Sequence, residues 1–119
     1  MTNDLRLIEK MSAIIVTKNT ELMQRVIEEI KTCFDPEIPV DVWELGLIYE
    51  LHLDDDNNLK IVMTLTSPNC PVAESLPAEV ENKCKLVAGI KSAELKLTFE
   101  PTWEKEMMSE VAQLELGFM

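Results

Sequence analysis

The sequence predicts an α/β domain of the α+β type. Its expected core is a small mixed sheet of about three strands: an antiparallel hairpin plus one crossover strand, with helices packed mainly on one face. Three observations predict it. Leu22, Val26 and Ile30 recur at helical spacing. Apolar residues alternate on either side of the turn Asp54-Asp55-Asp56-Asn57-Asn58. A second helical stretch then separates this hairpin from another alternating run.

The elements follow in order. Leu5, Leu7, Ile8 and Met11 suggest a weak amphipathic turn, and Ile14, Ile15 and Val16 form either a short strand or an interface patch. Residues 1–18 are therefore treated as an N-terminal extension, and residues 19–117 as a single domain. The first helix starts at Thr20, which can cap it, with Glu21 favouring the positive end of the helix dipole. Leu22, Val26, Ile30 and Phe34 line its apolar face, and Pro36 ends it. The loop Asp35-Pro36-Glu37-Ile38-Pro39-Val40 is stiffened by two prolines. The first hairpin strand places Leu47, Tyr49, Leu51 and Leu53 on one face, with Ile48, Glu50 and His52 on the other. Its partner places Leu59, Ile61, Met63 and Leu65 on one face.

A second loop follows, Thr66-Ser67-Pro68-Asn69-Cys70-Pro71, with Pro71 suited to the first position of a helix. That helix reaches about Val87. Val80, Cys84 and Val87 are its core positions, Pro77 kinks it, and Gly89 closes it. The crossover strand places Ala93, Leu95, Leu97 and Phe99 on one face and lies parallel to one strand of the hairpin. Glu100-Pro101-Thr102 breaks the chain. Trp103, Met107, Val111 and Leu114 then mark one face of a final helix ending near Gly117.

Composition narrows the function. A formal net charge of -11 opposes binding to nucleic acid, where Lys and Arg must neutralise phosphates, and to anionic membrane surfaces. It suits a basic protein partner or a cation, or serves solubility alone. The three cysteines, Cys33, Cys70 and Cys84, are a poor disulfide framework. Neither a signal peptide nor a run able to span a bilayer is visible, so a reducing cytoplasm with free thiols is expected.

Chemistry concentrates in the two loops. Cys70 stands at a predicted helix start, where free N–H groups and the dipole stabilise a thiolate. Thr66 and Ser67 can donate hydrogen bonds to it. The alternative is that Cys70 is a small buried apolar residue. Asp35 and Glu37 can accept metal bonds or fix their loop, and an Asx-turn is the simpler role for Asp35. If the loops meet, one thiol, two carboxylates and two hydroxyls converge, a set suited to a soft metal or an iron–sulfur species. His52 is expected to face solvent, and the Met107-Met108 pair to pack. Cys33 and Cys84 lie on apolar helix faces and are expected in the core. Without a Cys-x-x-Cys, a preformed zinc or iron–sulfur site within one chain is not expected. A thiol enzyme would lack a histidine base beside Cys70.

These loops resemble a known family. Asp35-Pro36-Glu37-Ile38-Pro39-Val40 with Leu45-Gly46-Leu47-Ile48-Tyr49 is similar to the first signature of the SufT-like iron–sulfur cluster maturation proteins. Thr66-Ser67-Pro68-Asn69-Cys70-Pro71 resembles the second signature, and Phe99-Glu100-Pro101-Thr102-Trp103 a third. The family includes a subunit of the eukaryotic cytosolic iron–sulfur targeting complex and the PaaD branch of phenylacetate degradation. The resemblance covers roughly residues 20 to 116. It implies an iron–sulfur assembly-type domain that acts as an accessory factor and not as an enzyme. Cys70 would be the cluster- or metal-contacting residue, and Asp35, Glu37, Thr66 and Ser67 would line the family's pocket. The implied cargo is a transient iron–sulfur cluster or iron, with no stable cofactor held by one chain. The implied partners are the assembly machinery and client apo-proteins, with a homodimer as one way to supply a second thiol. The alternative is a non-catalytic adaptor for a maturation or multicomponent oxygenase complex, with no direct metal contact.

Overall fold

The computed structural model describes residues 13–35, 38–66 and 75–117. The weak turn expected at Leu5 to Met11, and Pro71 as a helix start, lie outside them. The elements are β1 (Ile14–Val16), α1 (Thr20–Ile30), β2 (Ile48–Leu53), β3 (Asn58–Met63), α2 (Ser75–Lys85) and β4 (Ser92–Leu97). A 3-10 turn (Lys105–Met107) and α3 (Glu110–Glu115) follow. The sheet has four strands in the order β1-β2-β3-β4. The central pair is antiparallel, and each outer strand lies parallel to its neighbour. The expected hairpin and parallel crossover strand are both present. Ile14–Val16 adds the fourth strand, which short length and uniform apolarity left undecided in the sequence. Among the described residues, no helix is long and apolar enough to cross a membrane.

Leu22, Met23, Val26, Ile27 and Ile30 of α1 and Leu76, Val80 and Cys84 of α2 are buried together with Leu51, Leu53, Leu59, Ile61 and Met63 of the sheet. The Lys83 ammonium of α2 donates to the Thr32 carbonyl just past the end of α1, at 3.3 Å. A cation there complements the negative end of the α1 dipole. The cap of α1 is Asn19 and not Thr20: the Asn19 side chain accepts the Leu22 N–H at 3.0 Å. Phe34 does not extend the apolar stripe. The helix ends at Ile30, so Phe34 bridges Asp41 through its backbone and leaves its ring 53% exposed. Pro77 is the third residue of α2 as described, and its place relative to the expected helix start at Pro71 lies outside the described residues.

Two further expectations are corrected. Between Ile48 and Glu50 the pairing slips by one residue, a β-bulge, so Tyr49 leaves the face that Leu51 and Leu53 share. Its hydroxyl donates to the Pro101 carbonyl at 2.7 Å and approaches the Met107 sulfur at 3.5 Å. The C-terminal segment is not one long helix. Met108 is extended, and Ser109 caps the short α3 by accepting the Ala112 N–H. Val111 and Leu114 are 61% and 63% exposed, while Met108 and Ala112 are buried.

Residues 99–109 strap across the segment that leads into β2. Trp103 Nε1 donates to the Leu45 carbonyl at 2.7 Å, and the Ser109 N–H to the Glu44 carbonyl at 2.8 Å. Directly after these ties comes Gly46, with φ +77, where a Cβ would sit 2.3 Å from the Met107 carbonyl oxygen. Backbone meets backbone there, so neither side can yield cheaply. Gly46→Ala should cost about 1–3 kcal/mol from the left-handed backbone alone, with the clash adding to it. A urea titration reads this as a lowered midpoint; an unchanged midpoint would refute the strap.

Candidate functional site

The site begins with the sheet's register. Ile48 opens β2 and pairs with Met63, which closes β3. One step further, the Thr64 N–H donates to the Leu47 carbonyl at 2.8 Å. The loop that ends at Leu47 and the loop that starts at Thr64 therefore leave the same end of the sheet, side by side.

The first loop is held by its own carboxylates. Asp35 is 4% exposed and accepts the Ile38 N–H at 3.3 Å, the local Asx-type role its sequence position suggests. Asp41 accepts the Trp43 and Glu44 N–H groups at 3.0 and 3.1 Å. Burial pushes the Asp41 carboxyl above its ordinary range, the backbone hydrogen bonds counter this, and the Glu44 charge adds to the rise. Val42 and Cys33 close the turn through a backbone bond of 2.8 Å. In the second loop Thr64 and Leu65 are buried and Thr66 is partly exposed.

Of the expected site residues, Asp35 and Thr66 thus lie on segments that leave the same end of the sheet. Glu37, Ser67 and Cys70 lie outside the described residues. Among the described residues, no group of three or more His, Cys, Asp or Glu side chains could hold a metal ion. His52 is half-exposed and sits 2.7 Å from the Glu50 carboxylate.

Cys33 and Cys84 are both fully buried, as expected. Burial pushes the Cys33 thiol up to about 11, with the Glu79 charge adding to it. Burial pushes Cys84 up to about 12, with Cys33 and Glu29 contributing. Both remain protonated, poor nucleophiles and poor metal ligands.

A separate cleft of about 450 Å³ opens on the other face of the sheet, between β2–β4 and the strap. Ile14, Tyr49, His52, Lys60, Lys96 and Met107 line it; Asp35 and Thr66 do not. Sequence reasoning missed the cleft because it depends on the Tyr49 bulge and on the strap's path. The available signal was the aromatic, proline-containing stretch after the last strand.

Because the folded state holds both thiols protonated, their contribution to stability is fully present below the ordinary thiol value of 9.0. It is lost as pH rises through about 11 and 12. Urea midpoints should fall over that range, with Tyr49, also raised by burial, acting in the same direction. At pH about 8, Cys33 and Cys84 should resist a thiol reagent until the chain is denatured. Mass mapping of the labelled peptides checks this, and labelling of either thiol in the folded chain at a free thiol's rate would contradict it.

Comparison with known proteins agrees with this fold. A family model described as "Iron-sulfur cluster assembly protein" matches residues 23–97. A Porphyromonas gingivalis protein named Fe-S protein maturation auxiliary factor is 46% identical over 85% of this chain and 99% of its own length. The Staphylococcus aureus Fe-S protein maturation auxiliary factor SufT is 35% identical over 70% of this chain and 94% of its own. The crystal structure of a domain of unknown function from Bacillus anthracis superposes with a TM-score of 0.77 at 32% identity, covering 84% of this chain and 95% of that one. With a family model spanning more than half its length and such relatives across most of it, this chain belongs to the iron–sulfur cluster assembly protein family.

Proposed function

We propose that this protein is an accessory factor that helps assemble iron–sulfur clusters or deliver them to client proteins, with Cys70 as the residue that contacts the cargo. The observation that carries this reading is the burial of Cys33 and Cys84, both held protonated. A chain of this family with three cysteines is then left with one candidate thiolate for a soft metal. Support also comes from the names of its relatives, which describe maturation auxiliary factors.

The two signature loops give this thiol its surroundings. They leave the sheet together, so Asp35, Glu37, Thr66 and Ser67 are the groups proposed to line the pocket around it. Hydroxyls there would donate to an anionic sulfur, and the carboxylates would order the loop or meet a cationic partner. One thiol cannot complete the four-thiolate coordination of a cluster. The missing ligands come from a partner, a client or a small thiol, and a cluster bound in this way is easily handed on. The net charge of -11 favours docking on a basic face of the assembly machinery, chiefly through association rate and specificity.

Cys70→Ser should leave circular dichroism and the urea midpoint unchanged, yet abolish maturation of client iron–sulfur enzymes in cells. Anaerobic titration of the purified chain with ferrous iron and sulfide should give a charge-transfer absorption that the variant lacks. Full client activity with Cys70→Ser would instead make the chain an adaptor without direct metal contact.

A further inference from the structure

The two margins of the sheet are built differently. Beyond β4, the Glu81 carboxylate of α2 accepts the Leu95 N–H at 2.8 Å, so a side chain occupies the middle of that margin. Beyond β1 there is no such cover among the described residues, where the strand's ladder runs to β2 alone. Ile14, Ile15 and Val16 are 54%, 43% and 51% exposed, although β-branched apolar residues gain most from being covered. Proteins usually protect an open edge with a short strand, lysine, proline or a bulge; β1 is short, three residues, but contains no lysine, proline or bulge.

Charge indicates what fits there. Residues 11–17 are uncharged, in a chain where 28% of residues are charged and the net charge is -11. Most surfaces of two copies repel each other, but this edge does not. It is also self-complementary: about a two-fold axis through Ile15, Ile14 meets Val16 of the second copy and Ile15 meets Ile15. We propose that two copies of this chain pair antiparallel along β1, joining two four-stranded sheets into one of eight strands. Three half-exposed side chains supply less than the ~800 Å² per partner of a standard interface, so the pairing is reversible and dilution-sensitive.

The geometry has a consequence for the cargo site. β1 runs parallel to β2, so antiparallel pairing sends the loop-bearing end of each sheet to opposite ends of the joined sheet. The two loop pairs do not face each other. This dimer therefore keeps the two loop-bearing sheet ends apart.

Sedimentation equilibrium from micromolar to millimolar chain should show a monomer–dimer equilibrium. Amide exchange of β1 should slow as concentration rises. Ile15→Lys, which places like charges at the two-fold axis, should weaken association roughly tenfold or more, with circular dichroism unchanged. Ile14→Lys serves as a second edge variant should the first destabilise the fold. Cys70→Ser should dimerise like the native chain, so the edge is tested independently of the cargo site. A monomer throughout the range overturns the proposal, including one whose β1 amides are protected by its own N-terminal residues. So does a dimer that survives both lysine variants, or one that needs Cys70.

Discussion

The pairing of β2 with β3 at Ile48–Met63, carried one step further by the Thr64–Leu47 bond, is the constraint on which the rest depends. It lies in the interior, with Leu47, Met63 and Thr64 all buried, so water cannot replace it. An unmade backbone bond there would cost about 1–3 kcal/mol, a sizeable part of a small domain's stability. Because β2 begins where β3 ends, the segment before one strand and the segment after the other must emerge together. The C-terminal strap then holds the first of these segments from outside, through Trp103, Tyr49 and Ser109. Loop position is thus set by the sheet and reinforced by a distant part of the sequence.

The same framework divides the thiols by environment. Cys33 and Cys84 sit where helix meets helix, and desolvation keeps their sulfurs neutral. They act as small apolar residues that fill space near the Lys83–Thr32 tie. Burying two of three thiols also removes them as ligands for a soft metal.

Much of the fold was legible from local pattern. Leu22, Val26 and Ile30 announce a helix, the alternation around Asp54 to Asn58 announces a hairpin, and a helix before a further strand implies a parallel crossover. These signals depend on periodicity, which tertiary contacts seldom overturn in long elements. The misplacements lie where a single residue changes phase or a terminus shifts. Tyr49 is displaced by a bulge that no alternation can reveal. Phe34 falls just past the end of α1, and Val111 and Leu114 lie off the face of the short α3 that buries Ala112. β1 escaped assignment because three β-branched residues carry no period. At the site, the common origin of the two loops followed only from strand register; the core position of Cys84 was readable from helical spacing, whereas Cys33 is buried in the turn after α1 and not on a helix face.

The Glu81–Leu95 contact has an effect larger than one hydrogen bond suggests. A twisted ribbon with two adhesive borders can recruit copies indefinitely, the route by which soluble chains become fibres. Here the Glu81 carboxylate takes the Leu95 N–H on one border, so a further strand could not draw that group into its ladder. With the pairing proposed along β1 at the opposite border, growth would then end at two copies.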